Sequence, residues 1–483
     1  DAGFKRIKSN YKILDYFNNA FVILFMRFKI KINTNFMEKI KRKKISVLGI
    51  CKSGVYASTL LKKYDNEIYL SDISEKNLSE YKDTLEKNRI KYETGRHNME
   101  IICDSDIVVV SPGIPESAEV MRKIRAKKKY VIGEIEAAFR FCDKPVIAVT
   151  GSNGKTTVTS LIGKIIETAG HKPIVCGNIG YPFSRAILEN PDYDCVVLEL
   201  SSFQIDAIDK FRPDICVITN ITPNHLDRYE SFDHYVLSKK NIFKNQKKEN
   251  FAILNFNDAA VLKISFGASA NKIYFNCANG FFLTDGNIVL NREGKLTHII
   301  KTSELKIFGG HNYENVMAAS AAALQFGVKT DKLREALKSF EGVEHRIEFV
   351  EEVNGKKFYN DSKATSADSV IKSLEAFDCK IVLIAGGRDK NSDYRVLKDL
   401  IKKKVRKLVL TGEAAEKINS QINIPEITAV EKDFEKAVKT AYESAESGDA
   451  VLLSPACSSY DRFLNFEERG KFFKNAVRGL KTK

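Results

Sequence analysis

Residues Val146–Thr157 read VIAVTGSNGKTT, and this stretch predicts the fold more strongly than any other in the chain. Its first four residues are small, apolar and mostly β-branched, which predicts a buried parallel strand. Gly151–Gly154 then form a turn in which glycine allows the backbone to approach a ligand closely. Lys155 and two threonines open a helix that we expect to end near Gly170. This order of strand, glycine turn, Lys–Thr pair and helix predicts a phosphate-binding loop.

The loop has the chemistry to bind a nucleoside triphosphate and Mg²⁺. Backbone N–H groups and the helix dipole favour an anion here by up to about 2 kcal/mol, and the lysine adds a full charge. A hydroxyl directly after the lysine is a Mg²⁺ ligand in such loops. Val149 stands where the longer form of the loop has a further glycine. The residues predicted to hold the phosphates are Gly151, Ser152, Asn153, Gly154, Lys155, Thr156 and Thr157.

Length and composition bound the rest of the fold. The chain has 483 residues, 43% of them hydrophobic, which predicts about three globular α/β domains. Nine cysteines lie singly, with no CxxC pair, which indicates a reducing cytoplasm and neither a zinc site nor disulfides. The net charge is +15, but residues 1–44 carry +9 of it, so a nucleic-acid surface is not predicted.

Residues 1–40 are a basic N-terminal extension that differs from the remainder. The apolar run Ala20–Met26 is far shorter than the roughly 20 residues that a membrane span needs. Two interpretations stay open: the segment contacts anionic lipid, or it is an upstream extension with Met37 as the functional start. The second is favoured because no residue there has the chemistry of a site.

Residues 41–133 are predicted to form a Rossmann-like domain. Strand Ile45–Leu48 leads into Gly49 and a helix, and a second strand ends at Asp72. Cys51 replaces the middle glycine of the dinucleotide fingerprint, so NAD is disfavoured. Asp72 has two equal interpretations, a nucleotide contact or a strand-end turn residue.

Residues 134–342 are predicted to form the central ATP-binding domain with a mostly parallel sheet. Strand Cys195–Leu198 delivers Glu199 to the carboxyl edge, where a carboxylate downstream of a phosphate loop is the expected Mg²⁺ partner. His225 follows the next strand, and Lys239 lies on the helix after it. In residues 343–483, predicted to be a second Rossmann-like domain, three strands end in polar loops of the kind that bind ligands.

These motifs together resemble those of the Mur ligase family. TGSNGKTT, GNIG, ELSSFQ, NHLDR, HNYENV, HR, NDSKAT and LLSPACSSYDRF occur in family order over residues 41–475. SPACSSYDRFLNFEERG and GGRDK are similar to members that add D-glutamate to UDP-N-acetylmuramoyl-L-alanine. The resemblance implies an ATP-dependent ligase of peptidoglycan precursor synthesis that acts through an acyl phosphate with two Mg²⁺ ions.

The resemblance also implies roles for single residues. Lys155, Glu199, His225, Lys239 and Arg346 would be catalytic. Thr156, Glu199, His225 and a carbamylated Lys239 would hold metal. The residues implied for the three substrates are Asn312, Asn315, Arg346 and Asp361 for ATP, Lys52, Ser53, Asp72, Gly113, Asn178, Ser201 and Gln204 for the UDP substrate, and Lys363, Thr365, Lys390, Ser459 and Phe466 for D-glutamate.

Other functions stay open at this point. The chain could belong to a ligase of the same family with another amino-acid specificity, or to a non-catalytic nucleotide-binding module. A membrane or nucleic-acid binder acting through the basic N-terminus is a third. We expect a cytoplasmic monomer whose partners are its small-molecule substrates, with no nucleic acid and no stable membrane insertion.

Overall fold

The computed structural model describes residues 40–223, 228–389 and 391–480. The described residues form three sheets, each mostly or wholly parallel, with helices in the connections. Consecutive parallel strands need crossover connections, which explains the regular alternation of strands and helices. The predicted α/β class is therefore confirmed.

The first sheet has five parallel strands in the order β3-β2-β1-β4-β5. The strands are β1 Lys44–Leu48, β2 Glu67–Asp72, β3 Lys91–Thr94, β4 Ile107–Val110 and β5 Val131–Gly133. The helices between them are Lys52–Lys62, Leu78–Lys87, Met99–Asp104 and Glu119–Ala126. The order reverses between β1 and β4, and such a switch point opens a ligand crevice at the carboxyl ends of the strands.

The second sheet has nine strands in the order β14-β13-β12-β11-β10-β9-β6-β8-β7. The strands are β6 Val146–Thr150, β7 Pro173–Gly177, β8 Cys195–Glu199, β9 Ile215–Ile218, β10 Phe251–Asn255, β11 Asn271–Phe275, β12 Phe281–Thr284, β13 Asn287–Arg292 and β14 Lys295–Lys301. Among the described strands of this sheet, two pairs are antiparallel, β12 with β13 and β13 with β14. Strand β6 is buried along its whole length, because parallel strands are covered on both faces.

Helices associated with the second sheet come both before and after the phosphate loop in the sequence. They are Glu134–Phe139, Lys155–Thr168, Phe183–Glu189, Ser202–Asp206, Phe232–Lys240, Ala259–Ser265, Gly310–Phe326 and Thr330–Ser339. The predicted helix after the phosphate loop is confirmed. It ends at Thr168, and Gly170 has a φ of +88°, the left-handed conformation that glycine adopts without a steric penalty.

The third sheet has six strands in the order β15-β16-β20-β17-β18-β19. The strands are β15 Glu348–Val353, β16 Lys356–Asn360, β17 Ile381–Gly386, β18 Val405–Thr411, β19 Thr428–Val430 and β20 Ala450–Leu453. The helices are Ala367–Glu375, Lys398–Lys404, Ala415–Ile422, Phe434–Ser444 and Phe466–Gly479. In the described part of this sheet, β15 and β16 are the antiparallel pair. They are joined by Asn354 and Gly355, both with positive φ as a tight hairpin requires.

The described residues fall into two compact units. The first comprises the described part of Asp1–Lys301 with Glu314–Lys338, and it contains the first two sheets. The second comprises Thr302–Tyr313 and the described part of Ser339–Lys483, with the third sheet. Among the described helices, none combines the length and the apolar character that crossing a membrane demands.

Candidate active site

The phosphate loop follows β6, which lies between β8 and β9 in the second sheet. Gly151 and Gly154 have φ values of +147° and +81°. A Cβ on Gly151 would lie 1.9 Å from Thr219 Oγ1, and one on Gly154 would lie 2.4 Å from Asn315 Oδ1. Both glycines are therefore required by backbone conformation and by close approach of neighbouring side chains.

Hydrogen bonds fasten the loop to the segment that follows β9. Ser152 N donates to Asn220 O at 2.8 Å, and Asn153 N donates to Asn220 Oδ1 at 2.9 Å. Ser152 Oγ donates to Thr222 O at 2.9 Å and is hydrogen-bonded to the Tyr235 hydroxyl at 3.0 Å. Two loop amides are thus bonded within the protein. Amides that open a helix have no intrahelical carbonyl to bond, so those after the loop could bind an anion.

Glu199 ends β8 and is paired in register with Val149 of β6, next to the loop. Its Oε1 accepts a hydrogen bond of 2.7 Å from Asn178 Nδ2, whereas its buried Oε2 has no hydrogen-bond partner. A buried, unpaired carboxylate oxygen is costly unless it binds a cation. Thr156, in the first turn of the helix after the loop, is 2% exposed. A carboxylate and a hydroxyl are the hard oxygen ligands that Mg²⁺ prefers, so these residues fit the metal.

Lys239 is buried against the phosphate loop, and the adjacent Lys240 is exposed. Its Nζ donates to Gly151 O at 3.1 Å and lies 4.8 Å from the centre of the Tyr235 ring. Burial, reinforced by the positive charge of Lys155, holds the pKa of Lys239 well below its usual value of 10.5. Both effects favour the neutral amine over the ammonium form.

The Lys155 side chain contacts the phosphate loop. Lys155 Nζ donates to Gly151 O at 2.9 Å and to Ser152 O at 2.8 Å, so it lies over the loop whose phosphates it is predicted to bind. His225 and Lys390 lie outside the described residues.

Four of the residues assigned to the UDP substrate, Lys52, Ser53, Asp72 and Gly113, lie at the carboxyl edge of the first sheet. Lys52 is exposed and Ser53 half-buried at the start of the first helix. Asp72 accepts hydrogen bonds from Ile50 N at 2.6 Å and Ser74 N at 2.8 Å. Asp72 therefore holds the turns after β1 and β2, and a nucleotide contact by the same carboxylate stays a prediction.

Three further residues of this group form hydrogen bonds with other residues of the protein. Ser201 and Gln204 form a capping box at the helix after β8, with Gln204 Oε1 accepting from Ser201 N at 2.9 Å and from Ser201 Oγ at 3.1 Å. Gly113 O accepts a hydrogen bond of 2.7 Å from Arg228 Nη2. Capping boxes have a sequence signature, and SSFQ satisfies it, so this bonding was open to prediction.

In the second unit, Asp361 follows β16 and is buried. It accepts hydrogen bonds from the hydroxyls of Ser373 and Ser454. Burial raises the pKa of Asp361 to about 6, against the stabilising effect of these hydroxyls on its charge. Arg346 lies in the turn before β15, and Asn312 Nδ2 donates to Phe308 O at 2.9 Å.

The structure brings together two of the residues assigned to D-glutamate. Lys363 Nζ lies 5.1 Å from the centre of the Phe466 ring, within the range of a cation–π contact. Ser459 is buried in the loop after β20, and Thr365 lies half-buried at the loop that leads into helix Ala367–Glu375. Lysine and hydroxyl side chains in adjoining loops can bind a dicarboxylate.

Arg469, on helix Phe466–Gly479, was not among the site residues predicted from the sequence. It is 2% exposed and donates to Ser362 Oγ, Ser362 O and Cys457 O at 2.7–3.1 Å. Burial lowers the pKa of Arg469 to about 10. Arg469 thereby joins the loop after β16 to the loop after β20. Its only sequence signal was a charged residue on the apolar face of an aromatic helix.

Fold and site define an α/β nucleotide-binding protein with a phosphate loop at the centre of a parallel sheet. Three family descriptions match the chain: "MurD N-terminal domain" over residues 44–120, "Mur ligase middle domain" over 149–323 and "Mur ligase, glutamate ligase domain" over 345–457. The chain therefore belongs to the Mur ligase family.

Relatives with assigned functions agree. The chain is 42% identical to the UDP-N-acetylmuramoylalanine–D-glutamate ligase of Thermoanaerobacter pseudethanolicus over 92% of this chain and 100% of that one. It is 41% identical to the ligase of the same name from Clostridioides difficile, again over 92% and 100%.

Solved structures share the fold. A pseudomurein peptide ligase type C from Methanothermus fervidus superimposes with a TM-score of 0.57 at 21% identity, covering 91% of this chain and 100% of that one. The UDP-N-acetylmuramate-alanine ligase of Thermotoga maritima gives a TM-score of 0.56 at 19% identity, covering 92% and 100%. At these identities the likeness concerns the fold alone.

Proposed function

We propose that this protein is an ATP-dependent ligase that joins D-glutamate to UDP-N-acetylmuramoyl-L-alanine, releasing ADP and phosphate. The similarity to ligases of that name supports both the substrate pair and the use of ATP. The structural observation that carries the proposal is the unpartnered Oε2 of Glu199, buried one strand away from the phosphate loop.

The reaction proceeds in two steps. The L-alanyl carboxylate attacks the γ-phosphorus of ATP, and the bond to the β-phosphate oxygen breaks to give an acyl phosphate and ADP. The D-glutamate amine then attacks the acyl carbon, and the tetrahedral intermediate loses a proton and expels phosphate. Phosphoryl transfer depends chiefly on positioning and charge stabilisation. Lys155 and Arg346 provide positive charge for these steps, and the helix after the loop directs its amides at the phosphates.

Thr156 and Glu199 are the proposed ligands of one Mg²⁺, with Asn178 orienting the Glu199 carboxylate. His225 and Lys239 are proposed to serve a second Mg²⁺. Mg²⁺ supplies charge neutralisation at the phosphates when bound. The uncharged amine of Lys239 is the form that adds to CO₂, releasing a proton and leaving a carbamate whose oxygens are metal ligands.

The remaining residues are assigned to substrates. Lys363, Thr365, Lys390, Ser459 and Phe466 bind D-glutamate in the proposal. Asn312, Asn315 and Asp361 bind the nucleoside part of ATP in the proposal. Asn315 Oδ1 would lie 2.4 Å from a Cβ added to Gly154, so Asn315 is next to the phosphate loop. The UDP substrate is assigned to Lys52, Ser53, Asp72, Gly113, Asn178, Ser201 and Gln204.

The test is phosphate release by the purified full chain with ATP, Mg²⁺, UDP-N-acetylmuramoyl-L-alanine and a panel of amino acids. We expect efficient release with D-glutamate alone. Release with a different amino acid would indicate another specificity within the family, and no release with any would favour a non-catalytic nucleotide-binding module. Lys155→Ala should abolish turnover. Lys164→Ala is the control, because this lysine of the same helix forms only an exposed ion pair with Glu167.

Two further properties belong to the proposal. We expect a monomer, which light scattering after size exclusion tests. We also expect action in the cytoplasm, because the cysteines of the described residues are all free, as a reducing compartment requires.

A further inference from the structure

Arg228 joins loops from two different sheets of the first unit. Its Nη1 donates to Pro112 O at 3.0 Å, and its Nη2 donates to Gly113 O at 2.7 Å, so the guanidinium grips two successive carbonyls of the loop after β4. The same group lies 4.4 Å from the centre of the Phe203 ring, on helix Ser202–Asp206 after β8. One side chain therefore connects the carboxyl edge of the first sheet to that of the second.

The Phe203 ring that Arg228 contacts is held in place by its neighbours. The rings of Phe203 and Tyr229 stack with 5.7 Å between centres and 14° between planes. The Tyr229 hydroxyl donates to Asp206 Oδ2 at 2.8 Å. These contacts hold the Phe203 ring in place, so the Arg228 guanidinium packs against a ring of fixed position.

The two segments that Arg228 joins are assigned to different parts of the proposed active site. Gly113 is assigned to the UDP end, and Glu199, which directly precedes the helix of Phe203, is assigned to the metal. The peptide group that contributes the Pro112 carbonyl also carries the Gly113 N–H. A cation on that carbonyl polarises the peptide and strengthens the N–H as a donor to an anion.

We propose that Arg228 is a positioning residue that sets the loop after β4 in the conformation that accepts the diphosphate of the UDP substrate. This proposal rests on the proposed function. A planar guanidinium can bind two carbonyls and stack on a ring together, whereas a lysine ammonium cannot do both in this geometry. Affinity for the UDP substrate should therefore depend on Arg228, and affinity for ATP should not.

The test compares Arg228→Met and Arg228→Lys in the full chain by calorimetric titration with UDP-N-acetylmuramoyl-L-alanine and, separately, with a non-hydrolysable ATP analogue and Mg²⁺. We expect Arg228→Met to weaken binding of the UDP substrate about tenfold or more, with Arg228→Lys in between. Affinity for the ATP analogue should change less than about twofold, and KM for the UDP substrate should rise while kcat stays within about threefold. Arg125→Met is the control, since Arg125 forms only an exposed pair with Glu116.

A lowered melting temperature with unchanged affinity for the UDP substrate would make Arg228 merely structural and overturn the proposal. An equal loss of affinity for both nucleotides would overturn it as well. If Arg228→Met does not fold, as circular dichroism would show, the split between the two affinities in Arg228→Lys decides. The proposed function fails differently: wild-type protein would bind the UDP substrate with Arg228 dependence yet release no phosphate on addition of D-glutamate.

Discussion

At the scale of single residues, the unpartnered carboxylate oxygen of Glu199 is the most informative feature. A buried carboxylate oxygen without a hydrogen-bond donor is costly, and the proposed Mg²⁺ would compensate for that cost. The position of Glu199 after an apolar strand was predictable. That one of its oxygens is bonded to Asn178 and the other is not became evident only from the packed structure.

We expect Glu199→Gln to raise the melting temperature without Mg²⁺, because the substitution removes an uncompensated buried charge. The same variant should lose the additional stabilisation by Mg²⁺ with an ATP analogue, and turnover should fall about a hundredfold or more. Thermal denaturation followed by circular dichroism with and without Mg²⁺ measures this. Glu189→Gln, at an exposed ion pair with Arg185, is the control. Undiminished Mg²⁺ stabilisation in Glu199→Gln would refute the assignment.

Glu134 gives a prediction about pH. Its Oε1 accepts a hydrogen bond from Ser184 N at 2.6 Å, and burial raises its pKa from 4.5 to about 7. Because the folded pKa lies above the unfolded one, the native state binds more protons between these values. The contribution of Glu134 to the free energy of unfolding therefore falls as pH rises from about 4.5 to about 7.

Glu134→Gln keeps an acceptor for Ser184 N but cannot ionise. Relative to wild type, we expect this variant to gain on the order of 3 kcal/mol in unfolding free energy between pH 4.5 and pH 8. Urea denaturation at a series of pH values, followed by circular dichroism, provides the comparison. For Glu167→Gln, at an exposed position, the unfolding free energy should depend on pH in the same way as that of the wild type. A pH-independent difference for Glu134→Gln would contradict the assignment of the shift.

At the scale of elements, the helices that follow the strands carry the contacts that shape the site. The helix after the phosphate loop was predicted because its glycine turn and apolar period are local signals. No comparable local signal marks helix Ala259–Ser265. Asp258 begins this helix, its side chain accepting from Ala260 N and Val261 N at 3.0 Å. A short helix offers too few periods for hydrophobic periodicity to identify it.

Helix Phe466–Gly479 provides the prediction at this scale. Arg469→Met would leave buried carbonyls of Ser362 and Cys457 without their donors, so we expect a loss of about 3 kcal/mol in stability. The loops after β16 and β20 should loosen, raising KM for D-glutamate about tenfold while KM for the UDP substrate stays nearly constant. Denaturation and steady-state kinetics check the two parts. Arg478→Met, exposed near the end of the same helix, should alter neither.

At the scale of the whole molecule, the two compact units divide the site residues between them. The phosphate loop, Glu199 and Lys239 lie in the first unit, whereas Asp361, Lys363 and Phe466 lie in the second. The domain boundaries predicted at residues 133 and 342 remain predictions.

The N-terminal extension supports a prediction for the whole chain. We expect a variant lacking residues 1–36 to keep its D-glutamate-dependent phosphate release within about twofold, because no proposed site residue lies there. Turnover and vesicle co-sedimentation, with phosphatidylserine and with neutral lipid, should be measured on both forms. Loss of turnover together with loss of binding to anionic vesicles would instead assign function to the basic segment.

Sequence alone was enough to predict the α/β class, the phosphate loop, Glu199 at the end of its strand, Lys239 on a helix, and the order of the family motifs. These depend on local periodicity, glycine turns and residue spacing, which act between near neighbours in the chain. Only the tertiary structure decided that Glu199 Oε2 lacks a partner, that Lys239 rather than Lys240 is buried, that Arg469 ties two loops, and that Arg228 bridges two sheets. The physical reason is that these contacts join residues far apart in sequence, whose distances are set by packing and not by any local pattern.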